Sequence, residues 1–175
     1  MSTSAVKNHA NVRTITLTAV FCALVFVVTA YLPRIPFAGG YVHIGDAFIY
    51  LAAAILPTPL ACAVGAIGAG LADALTGYII YAPGTMVIKA LTALVFTSKK
   101  DRILCPRNLI GIVPAGIICV GGYYLYDVIL TGSFAGPVEN IFFNFLQAVA
   151  SAAIFLMLGV LFDSTGLRRR MLKDF

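Results

Sequence analysis

Long apolar stretches separated by short breaks make up most of this chain of 175 residues. These stretches are predicted to be six helical spans, over residues 12–32, 44–56, 60–80, 85–97, 109–130 and 141–162. An apolar helix of about 20 residues is long enough to cross a lipid bilayer. The pattern therefore predicts an all-α integral membrane protein, in which residues 1–175 form a single domain, a bundle of six transmembrane helices.

The breaks between the spans carry residues that stop or start helices. Residues 33–40 combine prolines with glycines and predict a non-helical loop. Thr58 is predicted to be the N-cap of the third span, with Pro59 at its first helical position. Residues 81–84, which read Tyr-Ala-Pro-Gly, are predicted to break the chain before the fourth span.

Composition supports a membrane location. Hydrophobic residues make up 61% of the chain and charged residues 11%, whereas an average soluble domain has about 25% charged residues. So few charges cannot cover a water-facing surface, which excludes a soluble enzyme, a nucleic-acid-binding domain and a disordered chain. The cysteines lie far apart in the sequence and lack metal-ligand spacing.

Most of the 12 basic residues fall on one side of the predicted bundle. With both termini in the cytoplasm, the cytoplasmic segments carry Lys7, Arg13, Lys99, Lys100, Arg102, Arg107, Arg168, Arg169, Arg170 and Lys173. Arg34 falls in an outer loop and Lys89 within a span. Because Lys and Arg are retained on the cytoplasmic side of a membrane, this distribution predicts an even number of spans and cytoplasmic N- and C-termini.

Charged residues within or beside the spans concentrate in the outer half of the predicted bundle. They are Asp46, Asp73, Lys89, Asp127 and Glu139. Charged groups inside a bilayer are energetically costly and usually mark functional sites. Together with the basic Arg34 they sum to a negative charge, which favours a neutral or weakly cationic ligand over a strongly anionic one.

Helical spacing places polar side chains on shared faces of the second, fourth, fifth and sixth spans. These stripes are predicted to converge on a cavity open to the outside, and structural hydrogen bonds between helices are the alternative. The candidate substrate-binding residues are His43, Asp46, Tyr50, Tyr81, Lys89, Tyr123, Tyr124, Asp127, Asn140, Asn144 and Gln147. Whether Asp73 belongs to the site or has a structural packing role stays open, since it continues the small-residue stripe Ala61, Gly65, Ala69. Nearby tyrosines either form an interfacial belt or stack on a flat heteroaromatic ring.

Sequence motifs of catalysis are absent. The chain has no Walker A pattern, so it is not expected to hydrolyse ATP itself. It also lacks the His-Glu-x-x-His and Gly-x-Ser-x-Gly patterns of metalloproteases and serine hydrolases. We therefore expect neither an enzyme nor a bound cofactor or metal.

Several stretches resemble the substrate-binding (S) component of energy-coupling factor (ECF) vitamin transporters. They are Ala19-x-x-x-Ala23 in the first span, His-Ile-Gly-Asp-Ala at 43–47, Gly-Leu-Ala-Asp at 70–73, and Tyr-Ala-Pro-Gly-Thr at 81–85 followed by Lys89. The stretches at 43–47, 70–73 and 81–85, with Lys89, are similar to those of a prokaryotic subgroup assigned to hydroxymethylpyrimidine, pyridoxine and related compounds. Thiamin is less favoured, because this chain has no tryptophan, which some thiamin-binding relatives use for stacking.

The resemblance implies capture and delivery of a vitamin rather than catalysis. In the family the substrate occupies an outward-facing cavity, and the alanine motif contacts the membrane-embedded coupling (T) subunit. That contact would fall on Ala19 and Ala23. The S component then topples on the coupling subunit, while two ATPase subunits supply the energy. The implied location is the prokaryotic cell membrane, with the vitamin, these subunits and the lipid bilayer as partners and no nucleic acid.

Other functions stay open at this point. An autonomous proton-coupled secondary transporter would use Asp73 or Asp127 as its proton site, although coupling sites usually lie near the membrane midplane, between repeats. A purely structural membrane subunit is a further alternative. Within the S component hypothesis, pantothenate and riboflavin are alternative substrates.

Overall fold

The computed structural model describes residues 3–32, 35–37 and 40–172, with side chains described over 12–32, 35–36 and 41–171. The elements run, in chain order, α1 (Thr3–Tyr31), β1 (Ile35–Phe37), β2 (Gly40–Val42), α2 (Gly45–Ile55), α3 (Thr58–Leu75), α4 (Ala82–Leu94), α5 (Pro106–Thr131), α6 (Val138–Thr165) and α7 (Leu167–Leu172). The positions predicted for Arg34 and Lys173, and for the side chain of Lys7, lie outside the described residues.

Four of these helices are long and apolar enough to cross a membrane. They are the 12–31 part of α1, and α3, α5 and α6. Helices α2 and α4 are apolar but have 11 and 13 residues, so at 1.5 Å per residue they span about 17 and 20 Å. The hydrocarbon core of a bilayer is about 30 Å thick. Each predicted span contains a helix, and the count of six full crossings stays a prediction.

Two helix starts differ from the prediction. Pro57, rather than Thr58, is the N-cap residue of α3, and it makes no side-chain capping hydrogen bond. Residues 81–84 were expected to break the chain, but Pro83 and Gly84 lie in the first turn of α4. Proline is tolerated there because the first N–H groups of a helix have no partner within the helix.

The third span is shorter than predicted. Helix α3 ends at Leu75, and a turn follows in which Gly77 has a φ of 93°. Only glycine adopts this left-handed conformation at little cost. The turn carries Tyr78 and Tyr81 to the same end of the bundle as the start of α2, so both side chains can reach the cavity described below.

A short antiparallel hairpin follows α1, in the segment predicted only as a non-helical loop. Strands β1 and β2 pair Ile35 with Val42 and Pro36 with Tyr41. The chain is helical as predicted, and this two-stranded sheet, with three residues in each strand, is an addition to the bundle among the described residues. Tyr41 and Val42 are buried, so β2 packs onto the bundle. We call the end of the bundle that carries it the hairpin end.

Small residues let α3 pack closely between α1 and α4. The predicted stripe of Ala61, Gly65 and Ala69 is buried. A Cβ atom added at Gly65 would lie 2.7 Å from the backbone carbonyl oxygen of Lys89. One added at Gly68 would lie 2.8 Å from the carbonyl oxygen of Cys22. These contacts bring backbone against backbone, so side chains larger than hydrogen would push the helices apart.

Gly65→Ala is expected to lower the free energy of unfolding by about 1–3 kcal/mol, because the new methyl group overlaps the α4 backbone. Gly121→Ala is the matched control, since a Cβ at Gly121 meets nothing within 4 Å and alanine has the better helix propensity. Thermal unfolding of the detergent-solubilised variants measures both. Equal melting temperatures for the two variants would contradict this account of the α3–α4 contact.

Polar side chains close the opposite end, which we call the basic end. The carboxylate of Asp163 on α6 accepts hydrogen bonds of 2.7 and 3.0 Å from the backbone N–H groups of residues 103–104. The buried Arg168 of α7 donates to the backbone carbonyls of Ala54, which lies in the last turn of α2, and Ser98. These contacts satisfy backbone groups that the short helices and the α4–α5 loop leave unpaired.

Candidate functional site

A small cavity lies at the hairpin end, where α2, α4 and α6 begin and α3 and α5 end. Its lining residues are Tyr41, His43, Asp73, Tyr78, Tyr81, Tyr123, Asp127, Asn144 and Gln147. They come from β2 and the residue after it, α3, the α3–α4 turn, α5 and α6. The cavity volume is about 30 Å³, which is room for one or two water molecules.

Asp73 at the end of α3 is fully hydrogen-bonded. Its Oδ1 accepts a hydrogen bond of 2.9 Å from the Tyr41 hydroxyl, and its Oδ2 accepts one of 2.5 Å from the Thr85 hydroxyl. Thr85 Oγ1 also lies 3.0 Å from the hydroxyl of Tyr123. Asp73 therefore ties β2, α3, α4 and α5 together at the edge of the cavity.

Lys89 and Asp46 form an ion pair in the interior of the bundle. Lys89 Nζ lies 2.8 and 2.9 Å from the two carboxylate oxygens of Asp46, and both side chains are 0% exposed. Gln147 donates to the same carboxylate over 3.1 Å. Cys119 Sγ lies 3.6 Å from Lys89 Nζ, and the ring of Tyr123 lies over that ammonium group, 4.9 Å from its centroid. The pair thus lies behind cavity-lining residues, with its charges satisfied internally.

Asp127 on α5 and Asn140 on α6 form a second polar pair. Asn140 Nδ2 donates a hydrogen bond of 3.0 Å to Asp127 Oδ2, and Tyr81 also faces this carboxylate. The Oδ1 atoms of both residues are buried without a hydrogen-bond partner. This pair therefore has acceptor capacity left at the wall of the cavity.

Tyrosine rings form a continuous row along one side of the cavity. The centroid of Tyr41 lies 4.9 Å from that of Tyr78, and Tyr78 lies 6.4 Å from Tyr81. Tyr81 in turn lies 6.1 Å from Tyr126, whose hydroxyl donates to the backbone carbonyl of Ile80. Neighbouring rings are inclined by 57–61°, so the row presents both ring faces and ring edges on that side.

The structure brings most of the predicted site residues together, but not all. His43, Tyr81, Tyr123, Asp127, Asn144 and Gln147 line the cavity. Asp46, Lys89 and Asn140 lie behind the lining and contact it. Tyr50 does not, because it is buried in the core, stacked on Phe96 with ring centroids 4.7 Å apart. Tyr124 turns toward the α5–α6 loop, where its hydroxyl donates to the backbone carbonyl of Phe134.

Three lining residues were not among the predicted substrate-binding residues: Tyr41, Asp73 and Tyr78. Tyr41 and His43 are two positions apart along extended backbone and so share a face. The sequence contains this two-residue spacing of Tyr41 and His43. The spacing predicts a shared face only if the segment is taken as a strand, and it was taken as an irregular loop. Tyr78 reaches the cavity only because α3 ends early, which helical periodicity alone does not reveal.

The cavity wall carries net acidic character. Asp73 and Asp127 line it, while the charge of Asp46 is matched by Lys89. Within the described part of the chain, no three His, Cys, Asp or Glu side chains are grouped so as to hold a metal ion. The cavity lining offers hydrogen-bonding groups and aromatic rings.

A second surface lies along α1 and α3, away from the cavity. Ala19 and Ala23 are exposed and lie in a shallow apolar groove of about 440 Å³. The other residues lining this groove are Ile15, Thr18, Cys22, Phe26, Leu60, Ile67 and Leu71. The small side chains leave room for another helix to approach the backbone of α1 closely. The predicted contact motif is thus on the surface of the bundle rather than inside it.

A comparison with protein-family models relates this architecture to known transporters. A family model described as ECF-type riboflavin transporter, S component, matches residues 9–163. The chain belongs to this S component family. No curated protein matches the chain.

An S component is the substrate-binding subunit of a vitamin transporter and not an enzyme. Membership of the S component family and the long apolar helices identify this chain as a multi-pass membrane protein that takes part in vitamin uptake.

Proposed function

We propose that this S component captures a small heteroaromatic vitamin or vitamin precursor in the cavity at the hairpin end, with hydroxymethylpyrimidine or a pyridoxine-like ring favoured. The observation that carries the proposal is the convergence of β2, the α3–α4 turn and three helices, α3, α5 and α6, on one cavity lined by tyrosines, amides and carboxylates. Tyrosine rings suit a flat ring, and the Asn144 amide supplies hydrogen bonds that fix its orientation.

Ligand binding requires the cavity to expand. Pockets for small organic ligands usually measure about 300–1,000 Å³, whereas this cavity measures about 30 Å³. The walls are held by side-chain contacts such as the Tyr41–Asp73 hydrogen bond and the Tyr41–Tyr78 ring contact. Such contacts rearrange more readily than helix backbones, so loops and side chains at the hairpin end open to admit the ligand.

The orientation proposed places the hairpin end outside the cell and both termini in the cytoplasm. The basic end carries Arg13, Lys99, Lys100, Arg102, Arg107, Arg168, Arg169 and Arg170. Retention of Lys and Arg on the cytoplasmic side favours this orientation. The cavity then faces the medium from which the vitamin is taken.

Delivery is proposed to depend on partners. The coupling subunit docks on the groove that contains Ala19 and Ala23, the S component topples within the membrane, and two ATPase subunits drive the cycle. The exposed groove, lined by small and apolar side chains, supports a helix-to-helix contact at this surface.

Ligand screening tests the capture function directly. The purified protein in detergent is heated with hydroxymethylpyrimidine, pyridoxine, riboflavin or pantothenate, because a ligand that binds the folded state raises the melting temperature. Stabilisation by hydroxymethylpyrimidine or pyridoxine is the result expected here, whereas stabilisation by riboflavin alone would support the alternative substrate named in the family description. Uptake by the protein alone, driven by a proton gradient, would instead establish a secondary transporter.

Asn144→Ala is expected to weaken binding of the stabilising vitamin about tenfold, because the amide lines the cavity and a lost hydrogen bond to a ligand contributes about 0.5–1.5 kcal/mol. Titration calorimetry of the detergent-solubilised protein measures the change. Glu139→Ala on the exposed first turn of α6 serves as the control. Unchanged affinity in Asn144→Ala would refute the assignment of this wall to the ligand.

A further inference from the structure

The carboxylates described above differ in whether their oxygen atoms have hydrogen-bond or ion-pair partners. Asp46 is paired with Lys89 and Gln147. Both oxygens of Asp73 accept hydroxyl hydrogen bonds. Both oxygens of Asp163, at the far end, accept backbone N–H groups. These three carboxylates are committed to structural contacts, which leaves Asp127 as a different case.

Asp127 lines the cavity and is 3% exposed, and its Oδ1 has no hydrogen-bond partner of good geometry, although the Tyr81 side chain faces the carboxylate. Its other oxygen accepts the amide N–H of Asn140, and this orientation leaves the Asn140 carbonyl oxygen as a second buried acceptor without a partner. Buried polar atoms are nearly always hydrogen-bonded in native proteins. An unfilled carboxylate oxygen at the cavity wall, with an unfilled amide oxygen on the residue that contacts it from behind, indicates a ligand that brings N–H donors.

We propose that Asp127, with the Asn140 carbonyl beside it, receives an amino group carried by the heteroaromatic ring of the ligand. The inference rests on the proposed capture function and narrows its substrate class to amino-substituted rings. An amino group carries two N–H bonds, so one can point to Asp127 Oδ1 and the other toward Asn140 Oδ1.

An imide ring, such as that of a flavin, suits this wall poorly. Its single N–H is flanked by two carbonyl oxygens, and seating it on Asp127 brings those oxygens toward the carboxylate and toward Asn140. Acceptors facing acceptors repel, and each buried group left unpaired weakens binding. The wall therefore favours an amino-bearing ring over the flavin named in the family description.

The test compares two probes that differ at one group. They are hydroxymethylpyrimidine, which carries a ring amino group, and its deaminated analogue, in which a carbonyl replaces that group. Titration of the full chain in detergent is expected to give about 10- to 100-fold tighter binding of the amino form, the difference typical of one hydrogen bond to a charged acceptor. Riboflavin is the third probe and is expected to bind more weakly than the amino form.

Asp127→Asn is expected to reduce the preference for the amino form to less than about threefold, because the amide presents a donor as well as an acceptor. Glu139→Gln removes the same charge from an exposed position one helix away and is expected to retain the full preference. The comparison of the amino and deaminated forms on the wild-type protein needs no variant, so it tests the inference even if Asp127→Asn does not fold.

Equal wild-type affinities for the amino and deaminated forms would overturn the inference while leaving capture of a vitamin intact. So would a preference that persists in Asp127→Asn, or tighter binding of riboflavin than of the amino form. If none of hydroxymethylpyrimidine, pyridoxine, riboflavin and pantothenate binds, the proposed capture function fails and the inference fails with it.

Discussion

Lys89→Met is expected to destabilise the folded protein by about 3–5 kcal/mol, because it leaves the carboxylate of Asp46 buried without its counter-ion. Both side chains are 0% exposed, so water cannot replace the lost partner. Gln147 and Cys119 remain near the carboxylate, but neither carries a positive charge to balance it. For a chain of this size, the loss corresponds to a fall in melting temperature on the order of 10 °C.

Thermal unfolding in detergent measures this effect, with Lys99→Met as the control. Lys99 is exposed at the basic end, so its replacement removes the same charge without leaving a buried partner. The double variant Lys89→Met with Asp46→Leu is expected to recover most of the lost stability, since a buried ion pair exchanged for apolar side chains is often neutral. A Lys89→Met protein as stable as Lys99→Met would show that the ion pair contributes little.

Ala19→Leu combined with Ala23→Leu is expected to reduce vitamin uptake to background while leaving vitamin binding unchanged. Two isobutyl side chains fill the groove between α1 and α3 and keep a partner helix from approaching the backbone of α1. The cavity at the hairpin end shares no lining residue with this groove. Co-purification of the coupling subunit and uptake by whole cells provide the two measurements, and calorimetry on the isolated chain provides the third.

Ala153→Leu is the matched control for that experiment. Ala153 is exposed on α6, so leucine there enlarges a different face of the bundle by the same volume. It is expected to leave co-purification and uptake unchanged. Normal recovery of the coupling subunit with the Ala19 and Ala23 double variant would place the docking surface elsewhere on the protein.

The sequence predicted the positions of the helices well, because apolar runs and proline breaks are local signals. It predicted the helix ends less well. Pro83 and Gly84 have the composition of a break, yet both fit into the first turn of α4, where proline removes no helical hydrogen bond. Helices α2 and α4, with 11 and 13 residues, are close in length to the short spans predicted at 44–56 and 85–97, and their full crossing of the membrane stays a prediction.

The site was predictable as a group of polar stripes but not as a set of contacts. Spacing along α6 predicted that Asn140, Asn144 and Gln147 share a face, and they do lie on the buried side of α6. Spacing could not show that Tyr124 turns away while Tyr123 faces the cavity, since residues three and four positions before Asp127 both lie on its side of the helix. Nor could it pair Lys89 with Asp46, which lies 43 positions earlier in the chain.

Side chains from three helices close the basic end of the bundle. Asn108 on α5 donates to the backbone carbonyls of residues 97 and 103, and Asp163 and Arg168 fasten the neighbouring segments. With the cavity at the other end, the bundle has the form of a cup rather than a tube, so under the proposed function a ligand enters and leaves by one mouth. A vitamin analogue that binds there too tightly to dissociate would hold the carrier loaded. Such a compound would inhibit transport stoichiometrically, with one molecule inactivating one transporter, rather than by reversible competition with the vitamin.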